Sequence, residues 1–461
     1  MSSDLRLTFY GDDFTGSTDV MESLCLNGVR TVLFLDPPSP ERLAEFPDAQ
    51  AVGVCGRSRS MSPAEMDDHL PGVFEALAEL DAPLCQYKIC STLDSSPEVG
   101  SIGHAIDLGR DAFPSDAFVP FVVGAPPLSP RGRYVAFGHL FAAVDGEVYR
   151  LDRHPTMKNH PVTPMNESDV RKHVAKQTDA SMALVDVRDL RGEAAAVDEA
   201  IADASGADVV VFDTVDGDDL RTVGRVVWEA ATETEGTSFA VGSSGLDYAL
   251  ANDWAATGDV TGESTLEHPG PVDRIVVVSG SASPETAAQI EWALDHEFEG
   301  VRLDTAALVD PDERDDERER AVRRGRDIYA EGQSPVLYAA RGPEDDAIER
   351  TNERVSELGL ADGEAGRRLG TQQGRILAEI LRGVDATRVC VAGGDTSGYA
   401  TPELDVYALE ALVPTEPGCP ICTAYASEDR FDGIEIALKG GQVGNPDYFR
   451  LVREGGKLPD A

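Results

Sequence analysis

Lysine is nearly missing from this chain: six of its 40 basic residues are lysine, against 83 Asp plus Glu and a formal net charge of −43. No basic stripe offsets that field, which argues against a nucleic-acid partner. The acids run through segments with helical and strand periodicity, so they read as solvated surface and not as a disordered tail. Arginine in place of lysine suits a cytosol at molar salt, where charges are screened within about 3 Å. Apolar runs of membrane-spanning length are absent, as is a signal-peptide core, so neither a membrane nor an export route is expected and the location is read as cytoplasmic. Without a secretory signal the seven cysteines are expected to be reduced thiols. Cys419-Pro420-Ile421-Cys422 has redox or zinc spacing but no second pair and no nearby histidine, so a pair of small residues near a turn is the preferred reading. Neither a Walker A loop nor a Gly-x-Gly-x-x-Gly fingerprint appears, which disfavours the common nucleotide folds and a nicotinamide dehydrogenase.

What is present is a repeated local design. Leu5–Phe9 is a short β-forming run that opens into Gly11-Asp12-Asp13-Phe14-Thr15-Gly16, after which Ser17 or Thr18 is expected to cap a helix with Val20, Leu24 and Leu26 on its apolar face. Polar groups at the carboxyl end of such a strand lie where open α/β sheets bind ligands. The two carboxylates can accept hydroxyls, carry a metal or take a proton; an acidic turn with a helix cap is the plain alternative. Strands at Thr31–Leu35, Ala51–Cys55 and Leu84–Ile89 follow. The second runs into Arg57-Ser58-Arg59-Ser60, where two arginines can fork onto a carboxylate or phosphate. The third carries Lys88, then Cys90-Ser91-Thr92 and Asp94-Ser95-Ser96.

Ala117–Val123 reads as a buried strand. From Gly124 to Met165 neither period holds, apart from a hairpin expected at Asp145-Gly146. Arg131, Arg133, His139, Arg153, His154, Lys158 and His160 crowd this stretch, together with Tyr134, Phe137 and Phe141. Those aromatics point to an ordered substrate cover. A metal at His154 and His160 lacks a carboxylate or cysteine at suitable spacing. Alternation of strand and helix returns through Ala183–Val187, Asp208–Phe212 and Phe239–Val241. There the Gly242-Ser243-Ser244-Gly245 turn offers backbone amides to the helix that follows.

At 461 residues two domains are expected. Residues 256–271 lack apolar period and are placed as the linker, with domains at 1–255 and 272–461. The second domain repeats the strand–loop–helix design three times: Ser279-Gly280-Ser281 after Arg274–Val278, Gly393-Gly394-Asp395-Thr396-Ser397-Gly398 after Arg388–Ala392, and Lys439-Gly440-Gly441-Gln442-Val443-Gly444 after Ile434–Leu438. Glycines let the main chain approach a polyphosphate, and Lys439 adds a positive charge beside it.

Taken together, Gly11–Ser17, Lys88–Ser96, His160–Met165, Ser279–Ser281, Gly393–Gly398 and Lys439–Gly444 resemble, in order, the motifs of the four-carbon acid sugar kinases. The chain looks like an acidic, haloarchaeal-type member. That resemblance implies two Rossmann-like three-layer α/β domains with a cleft between them, sugar acid on the first and ATP with Mg²⁺ on the second. Matched motif by motif, Ser281, Gly393, Gly394, Asp395, Thr396 and Gly441 are expected at the nucleotide. Arg57, Arg59, Lys88, Ser91, Thr92, Asp94 and His160 are expected at the sugar acid. Asp12 or Asp13 is the candidate base, with Asp94 in reserve; no metal ligand is assigned. The family more often has phenylalanine at Leu93 and Asn-Phe-Gly at Gln442-Val443-Gly444, and His154–His160 marks a subgroup. These departures leave the acid open between a tetronate type and a branched 3-oxo-isoapionate type. A binding protein that has lost turnover is the reading outside the enzyme class, and a homodimer is compatible with either.

Overall fold

The structure is a computed structural model that describes residues 5–115, 117–128, 132–144, 146–160, 162–361 and 363–457. Arg131, Asp145 and Pro161 of the stretches singled out above lie outside the described residues. The chain divides into two compact units, Met1–Thr265 and Leu266–Ala461.

In the first unit a parallel sheet runs in the order Thr31–Phe34, Ala51–Val54, Leu7–Gly11, Leu84–Lys88, Ser238–Gly242, Val119–Val122, Val209–Phe212, Met182–Val185. Its central strands are buried along their whole length, as a sheet covered on both faces requires. The first strand in sequence lies in the middle. The second and third strands in sequence lie to one side of it and the fourth to the other, so the winding reverses beside Leu7–Gly11. Such a switch point opens a crevice at the carboxyl ends of the strands. Within the aperiodic stretch after Val123, Arg133–Ala136, His139–Val144 and Glu147–Arg150 form a small antiparallel sheet, followed by the short turns of helix Leu151–Arg153 and Met157–Asn159.

The second unit orders its strands as Phe298–Arg302, Ser334–Tyr338, Val276–Ser279, Arg388–Ala392, Glu435–Lys439, Cys419–Ala426, Val406–Glu416. The first five are parallel, and the last two form an antiparallel ribbon on their edge. Here too the first strand is flanked by its third and fourth, and the crevice again opens where the glycine loops begin. Cys419 and Cys422 are buried residues of one strand and form no disulfide; they stand within the strand and not at a turn.

Candidate active site

The first helix begins earlier than expected. Asp13, not Ser17 or Thr18, is its N-cap: the carboxylate accepts from the Gly16 amide at 2.8 Å and the helix spans Phe14–Leu26. Aspartate satisfies the orphan amides of a first turn well, which leaves Ser17 and Thr18 buried inside the helix. The carboxylates of Asp12 and Asp13 therefore differ. Asp12 is 2% exposed and takes a two-pronged bond from Arg59, Nη2 to Oδ1 at 2.6 Å and Nε to Oδ2 at 3.2 Å. Burial pushes its carboxyl up, against the pull of the guanidinium. Asp13 is partly exposed and shares the same guanidinium at 2.7 Å through Oδ1.

Arg59 thus forks onto the protein's own acids instead of standing free. Although burial opposes it, the charges of Asp12 and Asp13 raise its pKa well above the ordinary range. Lys88, 2% exposed, has Asp19 as its nearest ion partner at 3.7 Å. A Cβ on Gly16 would crowd the Asp13 carboxylate and lie 2.8 Å from the Lys88 ammonium, so the glycine makes room for both. Arg57 is the exposed cation of the set, and its guanidinium bonds no described residue. Main-chain bonds tie the three loops together: the Asp12 amide donates to the Lys88 carbonyl and the Arg59 amide to the Asp12 carbonyl, both at 2.9 Å. Behind them lies a buried pair that the residue pattern did not single out, Gln86 and Asp247, joined at 3.3 Å. Burial raises the Asp247 carboxyl to about 8. Gln86 as an amide within an apolar strand was the available signal.

Beyond Lys88, the Cys90 thiol lies 2.9 Å from the buried Thr92 hydroxyl, while Ser91 is half-buried. Buried Leu93 adopts φ +52°, a left-handed turn that costs a branched side chain and redirects the loop. Asp94 meets the segment that follows the small sheet: the Thr163 hydroxyl donates to Asp94 Oδ1, and the Thr163 amide donates to His160 Nδ1 at 3.1 Å. His154 instead folds its Nδ1 onto the amides of Thr156 and Met157, both at 3.3 Å. Among the described residues no group of three or more His, Cys, Asp or Glu side chains could hold a metal. The Gly242–Gly245 turn is buried, with Ser243 capping its own helix through the Gly245 amide at 3.1 Å, so it presents no open amides.

In the second unit the glycine loops interlock. Gly393 sits at φ +128° and donates to the Lys439 carbonyl at 2.9 Å; the Gly280 amide donates to Ala392 at 3.0 Å. A Cβ on Gly441 would stand 2.6 Å from Ser281 Oγ. The hydroxyls of Ser283 and Thr286 both donate to the Gly441 carbonyl. Lys439 lies beneath them, fully buried, donating to Thr286 Oγ1 at 3.0 Å and facing the Tyr448 ring at 5.7 Å. Burial lowers its pKa. The ammonium braces the loop from below. Asp395 stays exposed while Thr396 is buried against the Gly280 loop.

Acid-lined loops on one unit and glycine-lined loops on the other match two known domain models. Residues 7–250 match a sugar-binding N-terminal domain and residues 276–449 a nucleotide-binding C-terminal domain. The chain belongs to the four-carbon acid sugar kinase family. It is 47% identical to a 3-oxo-isoapionate kinase of Paraburkholderia graminis, over 98% of this chain and 94% of that one. Identity to a 3-oxo-tetronate kinase of Pseudomonas fluorescens is 30%, over 95% and 94%. Two solved structures share the fold at 24% identity. A Salmonella typhimurium protein has a TM-score of 0.76 over 98% of this chain and all of its own, and one from Haemophilus influenzae has 0.70 over 97% and 99%. Among the described residues no helix is long and apolar enough to cross a membrane.

Proposed function

We propose that this sugar acid kinase uses ATP to phosphorylate a hydroxyl of a short 3-oxo sugar acid, with the branched 3-oxo-isoapionate type as first candidate. The observation that carries this choice is the identity of 47% to a kinase of that name, against 30% to one named for the tetronate. Phosphoryl transfer asks for in-line placement and charge neutralisation more than for covalent chemistry. Arg57, the free guanidinium, is assigned to the substrate carboxylate. Lys88 supplies a buried positive field, and Ser91 and Thr92 offer hydroxyls. Arg59 positions Asp12 and Asp13. Because both oxygens of Asp12 are taken, Asp13 is the base: it accepts the hydroxyl proton as the new O–P bond forms and the bond to ADP breaks.

Ser281, Gly393, Gly394, Thr396 and Gly441 are assigned to the polyphosphate. The exposed carboxylate of Asp395 fits Mg²⁺, which takes one or two carboxylates together with phosphate oxygens. Bound there, the ion supplies neutralisation of phosphate charge. A halophilic, cytoplasmic enzyme accords with the acid excess.

ADP release at molar KCl across branched and tetronate 3-oxo acids tests the reading. Turnover on the branched acid with kcat/KM above that on 3-oxo-tetronate is expected; the reverse order overturns the substrate choice, and ATP binding without turnover overturns the activity. Asp13→Asn keeps the helix cap, since asparagine caps as well as aspartate. It should lower kcat by about 10²–10⁴ without loss of fold. Full turnover in that variant removes Asp13 as the base.

A further inference from the structure

Asp94, Thr163 and His160 form a chain of groups whose polarity can be read from the donors alone. The Thr163 amide can only donate, so His160 Nδ1, 3.1 Å away, accepts and carries no proton. The proton of the neutral imidazole is then on Nε2. Asp94 takes the Thr163 hydroxyl on Oδ1, and that same hydroxyl lies 2.8 Å from His160 Nδ1. Thr163 is 5% exposed, so this wedge is built in and not a surface encounter. Asp94 Oδ1 and His160 Nδ1, both acceptors here, stand 3.7 Å apart with the hydroxyl beside them. The outer atoms, Asp94 Oδ2 and His160 Nε2, bond no described residue, and both side chains are part-exposed at 18% and 27%.

We infer that Thr163 is a positioning residue that holds Asp94 and His160 apart as an acceptor–donor pair. The substrate element it suits is a hydroxyl beside a carbonyl oxygen. Asp94 Oδ2 accepts from the hydroxyl and His160 Nε2–H donates to the carbonyl oxygen, which is either the keto or the carboxylate oxygen of an oxo sugar acid. The assignment rests on the sugar acid kinase reading, because it supplies the substrate that the pair would grip. It also explains why a buried threonine sits between two residues of opposite hydrogen-bonding role.

The test uses the whole enzyme with a 3-oxo sugar acid that it turns over and the 3-hydroxy analogue alongside. Thr163→Val removes the hydroxyl at equal volume and is expected to raise KM for the acid at least about tenfold, the worth of a hydrogen bond to a charged group. KM for ATP should not change. Thr163→Ser, which keeps both hydroxyl and amide, should stay within about threefold of the parent. A penalty confined to the oxo acid assigns the keto oxygen to His160; an equal penalty on both acids assigns the carboxylate; either result supports the pair. Imidazole ¹⁵N spectra report the tautomer directly: Nε2–H for His160 is expected in the parent and also in Thr163→Val, whose backbone amide still donates to Nδ1. An Nδ1–H tautomer in the parent overturns the inference, as does a Thr163→Val KM for acid within twofold of the parent. Equal damage in the serine and valine variants overturns it too. If the parent turns over no sugar acid at all, the kinase reading fails first; the spectrum still decides the tautomer.

Discussion

The two units wind their first four strands in the same order, second–third–first–fourth, and both open their loops at the reversal. They fill those openings in opposite ways. The first unit places charged side chains there, and it neutralises them in place: Arg59 with Asp12 and Asp13, Lys88 with Asp19. Glycines and hydroxyls occupy the second, whose main chain turns inward and whose buried cation, Lys439, is held by a threonine hydroxyl. A small acid is recognised by fixed charges at chosen points, whereas a polyphosphate is cradled by amides that need only a close approach. One topology serves both because the crevice is a property of the winding, not of the residues.

The strongest way to break the contrast is to strip a charge from the first unit. Arg59→Met leaves Asp12 buried without its partner, and removing one member of a buried pair costs about 3–5 kcal/mol. We expect a matching fall in unfolding free energy in denaturant titrations. Adding Asp12→Asn in the same chain should recover much of it, because the double variant no longer buries an unpaired charge. Equal stability of Arg59→Met and parent would mean that the fork carries no structural weight.

Next in size is the pH dependence contributed by Asp247. Its folded pKa is raised from 3.8 to about 8 by burial, with Gln86 and Lys88 pulling the other way. The folded state therefore binds this proton more tightly than the unfolded chain does. Its contribution is fullest below pH 3.8, declines as pH climbs through the window up to about 8, and changes no further above it. Asp247→Asn cannot titrate, so its stability relative to the parent should increase across that window and level off beyond it. A constant difference between the two proteins from pH 4 to 9, measured by denaturation at fixed salt, would contradict the buried neutral acid.

How much of this was legible in the chain follows from what is local. Each loop of the site announces itself where a β-forming run meets glycine and polar residues, so Asp12, Lys88, Ser281, Gly393 and Gly441 all stand at carboxyl ends of strands as read. Arg59 was legible as a fork but not its target: Asp12 lies 47 positions away, and only the sheet brings the two together. The helix start was misplaced because serine, threonine and aspartate all cap well, and their order alone does not say which is used. The strands of residues 133–150 showed no period since they are short, and in His139–Val144 the buried Leu140 and Ala142 alternate with Phe141 and Ala143, which are apolar as well. Thr163 was hidden for a similar reason: its partners are fixed by a turn, not by a spacing.

The mildest change sharpens the comparison most, since the same methyl group can be added to a glycine of either unit. Gly16→Ala presses on the Asp13 carboxylate and, from 2.8 Å, on the Lys88 ammonium, and Gly441→Ala presses on Ser281 Oγ from 2.6 Å. Overpacking at such points costs about 1–3 kcal/mol, so the ligand gripped nearby should lose roughly tenfold in apparent affinity or more. In the first unit the nearer neighbour is the Asp13 carboxylate, tied to the Gly16 amide as the helix cap, so moving the lysine aside does not relieve the clash and the larger effect is expected there. Gly16→Ala should raise KM for the sugar acid and spare ATP; Gly441→Ala should raise KM for ATP and spare the acid. Steady-state kinetics with each substrate varied in turn separates the two. If both variants shift the same KM, the division between a charged acid site and a glycine-lined phosphate site is wrong, whatever the two folds share.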